Sequence, residues 1–286
     1  MLLPASYLNG FAPRDGQPLY PSLWKGCVGA WNPGLGPTGL TLRDWSGKSL
    51  NGTLTNFSLN SAWTALQGKY ALLFDGTNDV VASLGNVLPS VSSSTSFSYS
   101  QWAYFTAVPG VRCSITPIPA INSNDFGAEI TVLSNGKLTI DASKANVSNV
   151  RFSMSTNVLT GQWLHIVGTW DSVAQVATLW QNGVSQGTVS YTAATTSATA
   201  VNTTSWFIGC ENFAGSNGNF MSGYLDDFLV YNRALSPDEI RTLSTRRGIA
   251  YEMAPRRRSS AQVTVAPLRY NLFSGSIGNT DVIGAS

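Results

Sequence analysis

A chain of 286 residues with one histidine can run Ser–His or Cys–His nucleophilic chemistry only through that residue, His165. Its surroundings, WLHIVGTW at 163–170, place it in an aromatic, strand-like run beside Trp163 and Thr169, so it reads as a packed ring with a satisfied nitrogen. Cys27, Cys113 and Cys210 are odd in number, far apart and free of any CxxC spacing. They read as buried thiols, not as a zinc or redox centre. Nine tryptophans offer ring faces that could stack on the C–H groups of a sugar, although most large rings fill a core. Glu211, Asn212, Phe213 and Asn217 lie in GCENFAGSNGN (209–219), a stretch of small and amide side chains around one ring. That stretch is either a ligand rim or a plain flexible connection.

Charge separates the body from its tail. Residues 1–240 carry 10 Lys+Arg against 13 Asp+Glu, a balance of −3, and the remaining 46 carry 7 against 2, a balance of +5. Arg256, Arg257 and Arg258 form the densest basic run. It has no interleaved aromatics and no recognition motif, which disfavours nucleic acid and leaves a solvated linker or, in preference, an arm that meets an acidic neighbour or a sister subunit. Charged residues make up only 11% of the chain, so charge-driven disorder is excluded and the polar surface must come from Ser, Thr, Asn, Gln and Gly. No window approaches about 18 uninterrupted apolar residues, so no membrane-spanning helix is expected. The first residues lack a basic region followed by an apolar run, and do not read as a secretory signal. Sequons at Asn51, Asn56, Asn146 and Asn202 would matter only in a eukaryotic secretory chain.

The elements that must position these residues are nearly all strands. Residues 96–106 (SFSYSQWAYFT) alternate so that Phe97, Tyr99, Gln101, Ala103 and Phe105 share a face, which predicts a long half-buried strand. YALLFDGTNDVVAS (70–83) predicts two short strands around a hairpin-like corner at Gly76. Asn135-Gly136 and Asn182-Gly183 each predict a two-residue hairpin with positive φ at both central positions. Further strands are expected at 163–170, 205–210 and 223–231. Ser236-Pro237-Asp238-Glu239 is a capping box with proline at the first helical position, which predicts one short closing helix. The architecture expected is all-β, a two-sheet antiparallel sandwich over 24–247. Extended arms flank it at 1–23 and 248–286.

Six pieces in order then resemble the laminin G-like (concanavalin A-like) jelly-roll family, particularly its bacterial and phage branch. They are GCVGAW (26–31), DWSGKSLNGTLTN (44–56), the strand pair at 70–81, QWLHIVGTWD (162–171), LWQNG (179–183) and GYLDDFLVYNRALSPDEI (223–240). Leu164 departs from the family's frequent second histidine, and Ser100-Gln101-Trp102 from its shorter aromatic pattern. The resemblance implies a jelly-roll of two curved sheets. It also implies a possible calcium ion held by loop oxygens, for which Asp75, Asn78 and Asp79, joined by Asp226 or Asp227, are the candidates. The alternative is that these side chains stabilise turns and bond to nearby amides. Family members that cleave polysaccharides share an E-x-D-x-x-E strand, which is absent here. Of only four glutamates (Glu129, Glu211, Glu239 and Glu252), Glu239 already caps a helix.

These observations lead to a non-catalytic structural, decoration or adhesion protein of a phage particle, needing no cofactor. Its arms would anchor it to capsid or other virion proteins or to sister copies, with the sandwich exposed to glycans. The alternatives are a calcium-assisted carbohydrate- or protein-binding module on a bacterial surface or secreted from it, and then a polysaccharide-cleaving enzyme.

Overall fold

The computed structural model describes residues 21–110, 113–115, 118–121, 125–144, 150–192, 200–201 and 206–249. Arg256, Arg257 and Arg258, with most of both expected arms, lie outside them.

The larger sheet is antiparallel and has eight strands. Across it run β17 (Val184–Ser190), β16 (Val176–Gln181), β15 (Trp163–Asp171), β7 (Phe97–Tyr104), β21 (Ser222–Tyr231), β5 (Lys69–Asp75) and β4 (Trp63–Leu66). The eighth strand, β1 (Cys27–Trp31), also pairs with β21. One edge of β21 is therefore shared: residues 222–225 face β5, and residues 228–231 face β1. A bulge between Asp226 and Leu229, with Asp227 at φ 55°, falls at the changeover.

The opposing layer is divided. Its four-stranded part holds β14 (Arg151–Asn157), β12 (Lys137–Asp141), β11 (Ile130–Val132) and β8 (Cys113–Ser114), and its three-stranded part β2 (Thr41–Leu42), β3 (Gly52–Thr55) and β6 (Val80–Ala82). Short pairs complete it: β10 (Phe126–Gly127) with β13 (Ser143–Lys144), β9 (Ile118–Pro119) with β18 (Trp206–Phe207), and β19 (Glu211–Phe213) with β20 (Ser216–Gly218).

One buried cluster joins the layers, drawing Phe97, Tyr99, Trp170 and Leu225 from the large sheet and Ile130, Val132, Leu138 and Ile140 from the small one. Phe97 and Trp170 stack with ring centroids 4.9 Å apart, and Trp170 Nε1 donates across the layers to the Asp141 carbonyl at 2.9 Å. The alternation of β7 therefore positions its apolar face as expected.

Its other face is not solvated, contrary to the half-buried reading. Ser98, Ser100 and Trp102 are also buried, because a second cluster covers that side of the sheet. There Val167, Leu229 and Tyr231 meet Ile240 and Leu243 of α2 (Pro237–Leu243), with Leu23 of α1 (Pro21–Trp24) and Ile249. Each aliphatic side chain so buried contributes about 1.5–3 kcal/mol relative to exposure. The packed unit thus extends slightly past both boundaries set at 24 and 247. The capping box of α2 is present as expected, with Ser236 Oγ accepting from the Glu239 amide and the Glu239 carboxylate accepting from the Ser236 amide.

Two turn expectations are corrected. Asn182 and Gly183 have φ 51° and 80°, the primed turn expected, but of the second pair only Gly136 is positive, at 79°. The Gly136 amide bonds to the Leu133 carbonyl, so this loop is a one-residue-longer turn ending in a glycine bulge. The corner at Gly76 also does not close a hairpin: β5 pairs in the large sheet, and β6 pairs with β3 in the opposing layer.

Candidate functional site

His165 is where nucleophilic chemistry would have to occur, and the distance is suggestive: Ser100 Oγ lies 2.9 Å from His165 Nε2. The environment is not. His165 is 2% exposed and Ser100 1%, so no substrate carbonyl reaches the pair. His165 Nδ1 has no hydrogen-bond partner, so nothing orients the ring as the third member of a triad would. Burial pushes its pKa down to about 3, which keeps the imidazole neutral. All three cysteines are buried and outside any disulfide, and burial pushes Cys27 and Cys210 up to about 12.

The calcium candidates separate into two places. Asp75 Oδ1 accepts the amides of Thr77 and Asn78, at 2.7 and 3.4 Å, and Asp79 Oδ2 accepts the Asp75 amide at 2.9 Å. Asn78 uses its carbonyl to accept from Asn56. Burial raises the Asp79 carboxyl, opposed by that amide bond, and its Oδ1 has no partner. The closing strand does neighbour this corner, but Ser222 is the residue opposite Asp75. At about 3.4 Å per residue, Asp226 stands roughly 14 Å further along. The five residues therefore do not form one ligand set. Among the described residues no three or more His, Cys, Asp or Glu side chains gather as a metal site.

On a regular strand Asp226 and Asp227 would face opposite ways; the bulge buries both, at 0% and 1% exposure. Asp226 Oδ1 accepts the Gly34 and Asp227 amides, and Asp227 Oδ2 accepts the Gly248 amide. Arg247 stands beside them, its Nη1 3.5 Å from Asp226 Oδ2 and its guanidinium 3.9 Å over the Trp163 ring. Burial, reinforced by the Asp227 charge, raises the Asp226 carboxyl despite the arginine. This cluster ties together both ends of the packed unit. Sequence reasoning missed Arg247, because nothing local links it to a strand some twenty positions upstream.

The rim residues do assemble, as the hairpin β19–β20. Asn212 Nδ2 donates to Asn217 Oδ1 at 2.6 Å, Glu211 accepts from Asn219, and Phe213 packs at the core margin. Glu211 and Asn212 are buried, whereas Asn217 is exposed. The hairpin meets the four-stranded part of the small layer, where the Ser114 amide bonds to the Asn219 carbonyl. On that layer Arg151 grips Asp141 through both guanidinium and carboxylate forks, and Thr131 Oγ1 lies 2.9 Å from Thr139 Oγ1. The Asp141 hydrogen bond is the largest effect raising the Arg151 pKa, with Glu211 adding to it. These polar groups are spent on each other.

Two of the nine tryptophans open onto a surface cleft of about 320 Å³, lined by Trp45 and Trp63 with Asn32, Leu35, Thr38 and Arg43. Trp63 is pinned by its Nε1, which donates to the Gly39 carbonyl at 2.9 Å. Trp45 is placed by the Asp44 carboxylate, whose oxygens accept the amides of Ala30, Ser46 and Leu50 and the Ser46 hydroxyl. The sequence held one signal of this cleft, the turn-forming run NPGLGPTG (32–39), which ends six positions before Trp45.

With sheets and sites in place, the class is clear: residues 75–241, more than half of the chain, match the concanavalin A-like lectin/glucanases superfamily, and the protein belongs to that family. No curated protein matches the chain. Solved structures share the fold at low identity. The binding domain of Paraclostridial Mosquitocidal Protein 1 is 17% identical with a TM-score of 0.55, over 78% of this chain and 52% of that one. Domain 4 of an extracellular arabinanase from Geobacillus stearothermophilus, solved with arabinotriose, is 18% identical with a TM-score of 0.52, over 76% and 98%. Trypanosoma rangeli sialidase is 14% identical with a TM-score of 0.52, over 77% of this chain and 32% of that one. The chain therefore spans about half of the mosquitocidal domain and nearly all of the arabinanase domain. Among the described residues no helix is long and apolar enough to cross a membrane.

Proposed function

We propose that this protein is a non-catalytic carbohydrate-binding and adhesion module. The observation that carries the reading is a contrast in exposure. Trp45 and Trp63 open onto a surface cleft, whereas His165, Glu129 and Glu211 are buried and Glu239 is held in an ion pair with Arg233. Ring faces pinned at a surface suit stacking on pyranose or furanose rings. Sealed acids and a sealed base do not suit hydrolysis, which needs two carboxyl groups flanking the scissile bond. The arabinotriose-bound domain of similar fold supports a saccharide as the ligand class. In this reading the module is carried on a phage particle. The strongly basic segment after residue 240 fits an anchor to acidic virion proteins or sister copies.

A glycan array run with and without chelator tests the binding reading: saccharide binding that survives chelation is expected, and measurable turnover of a polysaccharide would overturn it. Particle incorporation of a chain lacking residues 250–286 tests the anchor. Incorporation should be lost while the β-type circular dichroism is kept.

A further inference from the structure

The cleft between Trp45 and Trp63 lies before residues 75–241, over which the family model matches. Its volume sits at the low end of the roughly 300–1,000 Å³ of small-ligand pockets, room for a terminal sugar unit and not for a long polymer tract. Two features define what would fill it. The indoles of Trp45 and Trp63 supply ring surface, continued by Leu35, which is 42% exposed. Asn32 lines the cleft at 4% exposure, with its Oδ1 unpartnered but sealed from solvent. Gly34 leaves the room for that amide, since a Cβ there would lie 2.7 Å from Asn32 Oδ1.

The second feature is charge. Arg43 is exposed at the cleft and makes no ion pair among the described residues. The adjacent carboxylate, Asp44, is turned inward onto three amides and a hydroxyl. The guanidinium fork is thus the charged group left for a ligand, and its geometry matches a carboxylate in bidentate contact.

We infer that this cleft binds the terminal unit of a carboxylate-bearing saccharide, with the sugar ring against the tryptophans and the carboxylate on Arg43. The inference rests on the carbohydrate-binding reading and gives it a site and a ligand class.

The test uses the full chain against an array of sialylated and uronate-terminated oligosaccharides beside their neutral counterparts, followed by titration calorimetry on the best binder. Wild type should prefer the acidic members. Trp63→Ala should weaken binding tenfold or more. Arg43→Gln, at an exposed position that leaves folding intact, should bring acidic and neutral members to similar affinity. Binding that survives both substitutions would move the site elsewhere and overturn the inference while sparing the general reading. Equal binding of neutral sugars by wild type would overturn the acidic class. No binding to any saccharide would remove both.

Discussion

The Gly34 amide donates to Asp226 Oδ1 at 3.2 Å, joining residues 192 apart in sequence. The bond fastens the loop that carries the tryptophan cleft to the closing strand, at the point where β21 exchanges one partner for another. A carboxylate held there without water must be costly in its charged form.

That cost has a sign. Burial, then the Asp227 charge, push the Asp226 pKa up to about 8 from an unfolded value near 4. A raised folded pKa means the contribution of Asp226 is fully present below about pH 4 and is lost as pH rises toward 8. Asp226→Asn keeps an acceptor for Gly34 and cannot ionise. Its urea midpoint should therefore gain on wild type between pH 5 and pH 8, and parallel midpoints across that range would refute the assignment.

His165 carries the opposite sign. Burial holds its pKa near 3, so the folded state prefers the neutral ring, and its contribution is present above the unfolded value of about 6.5 and lost as pH falls below it. Imidazole NMR shifts should stay those of the neutral ring from pH 8 down to pH 4.5. A midpoint near 6.5 would mean that the ring meets solvent.

The capping box sets the stability of α2, which packs on the outer face of β15 and β21. Ser236→Ala removes the acceptor for the Glu239 amide and should cost about 1 kcal/mol in a denaturant titration. Saccharide binding should not change.

Gly209 has φ 89°, and a Cβ there would lie 2.1 Å from the Phe74 ring, itself edge-on to Phe57 with centroids 5.0 Å apart. Gly209→Ala combines backbone strain with overpacking and should cost about 2–4 kcal/mol. A thermal melt unchanged from wild type would show that the ring has room to give.

Much of this protein is written in local pattern. The two-residue alternation at 97–105 determined which face of β7 enters the core, Ser236 to Glu239 determined a helix start, and Asn182-Gly183 determined a turn, because each depends on neighbours a few positions away. Tertiary structure alone decided the rest. Asp75 and Asp226 are kept apart by a register that puts Ser222 opposite Asp75. Arg247 reaches Asp226 only because residues 235–249 fold back over the outer face of the large sheet. Which tryptophans meet solvent is likewise beyond a linear reading: Trp31, Trp170 and Trp206 are sealed inside, while Trp45 and Trp63 line a cleft. A ring's exposure is set by what distant segments place over it, and that is a property of the packed layers, not of the residue or its neighbours in sequence.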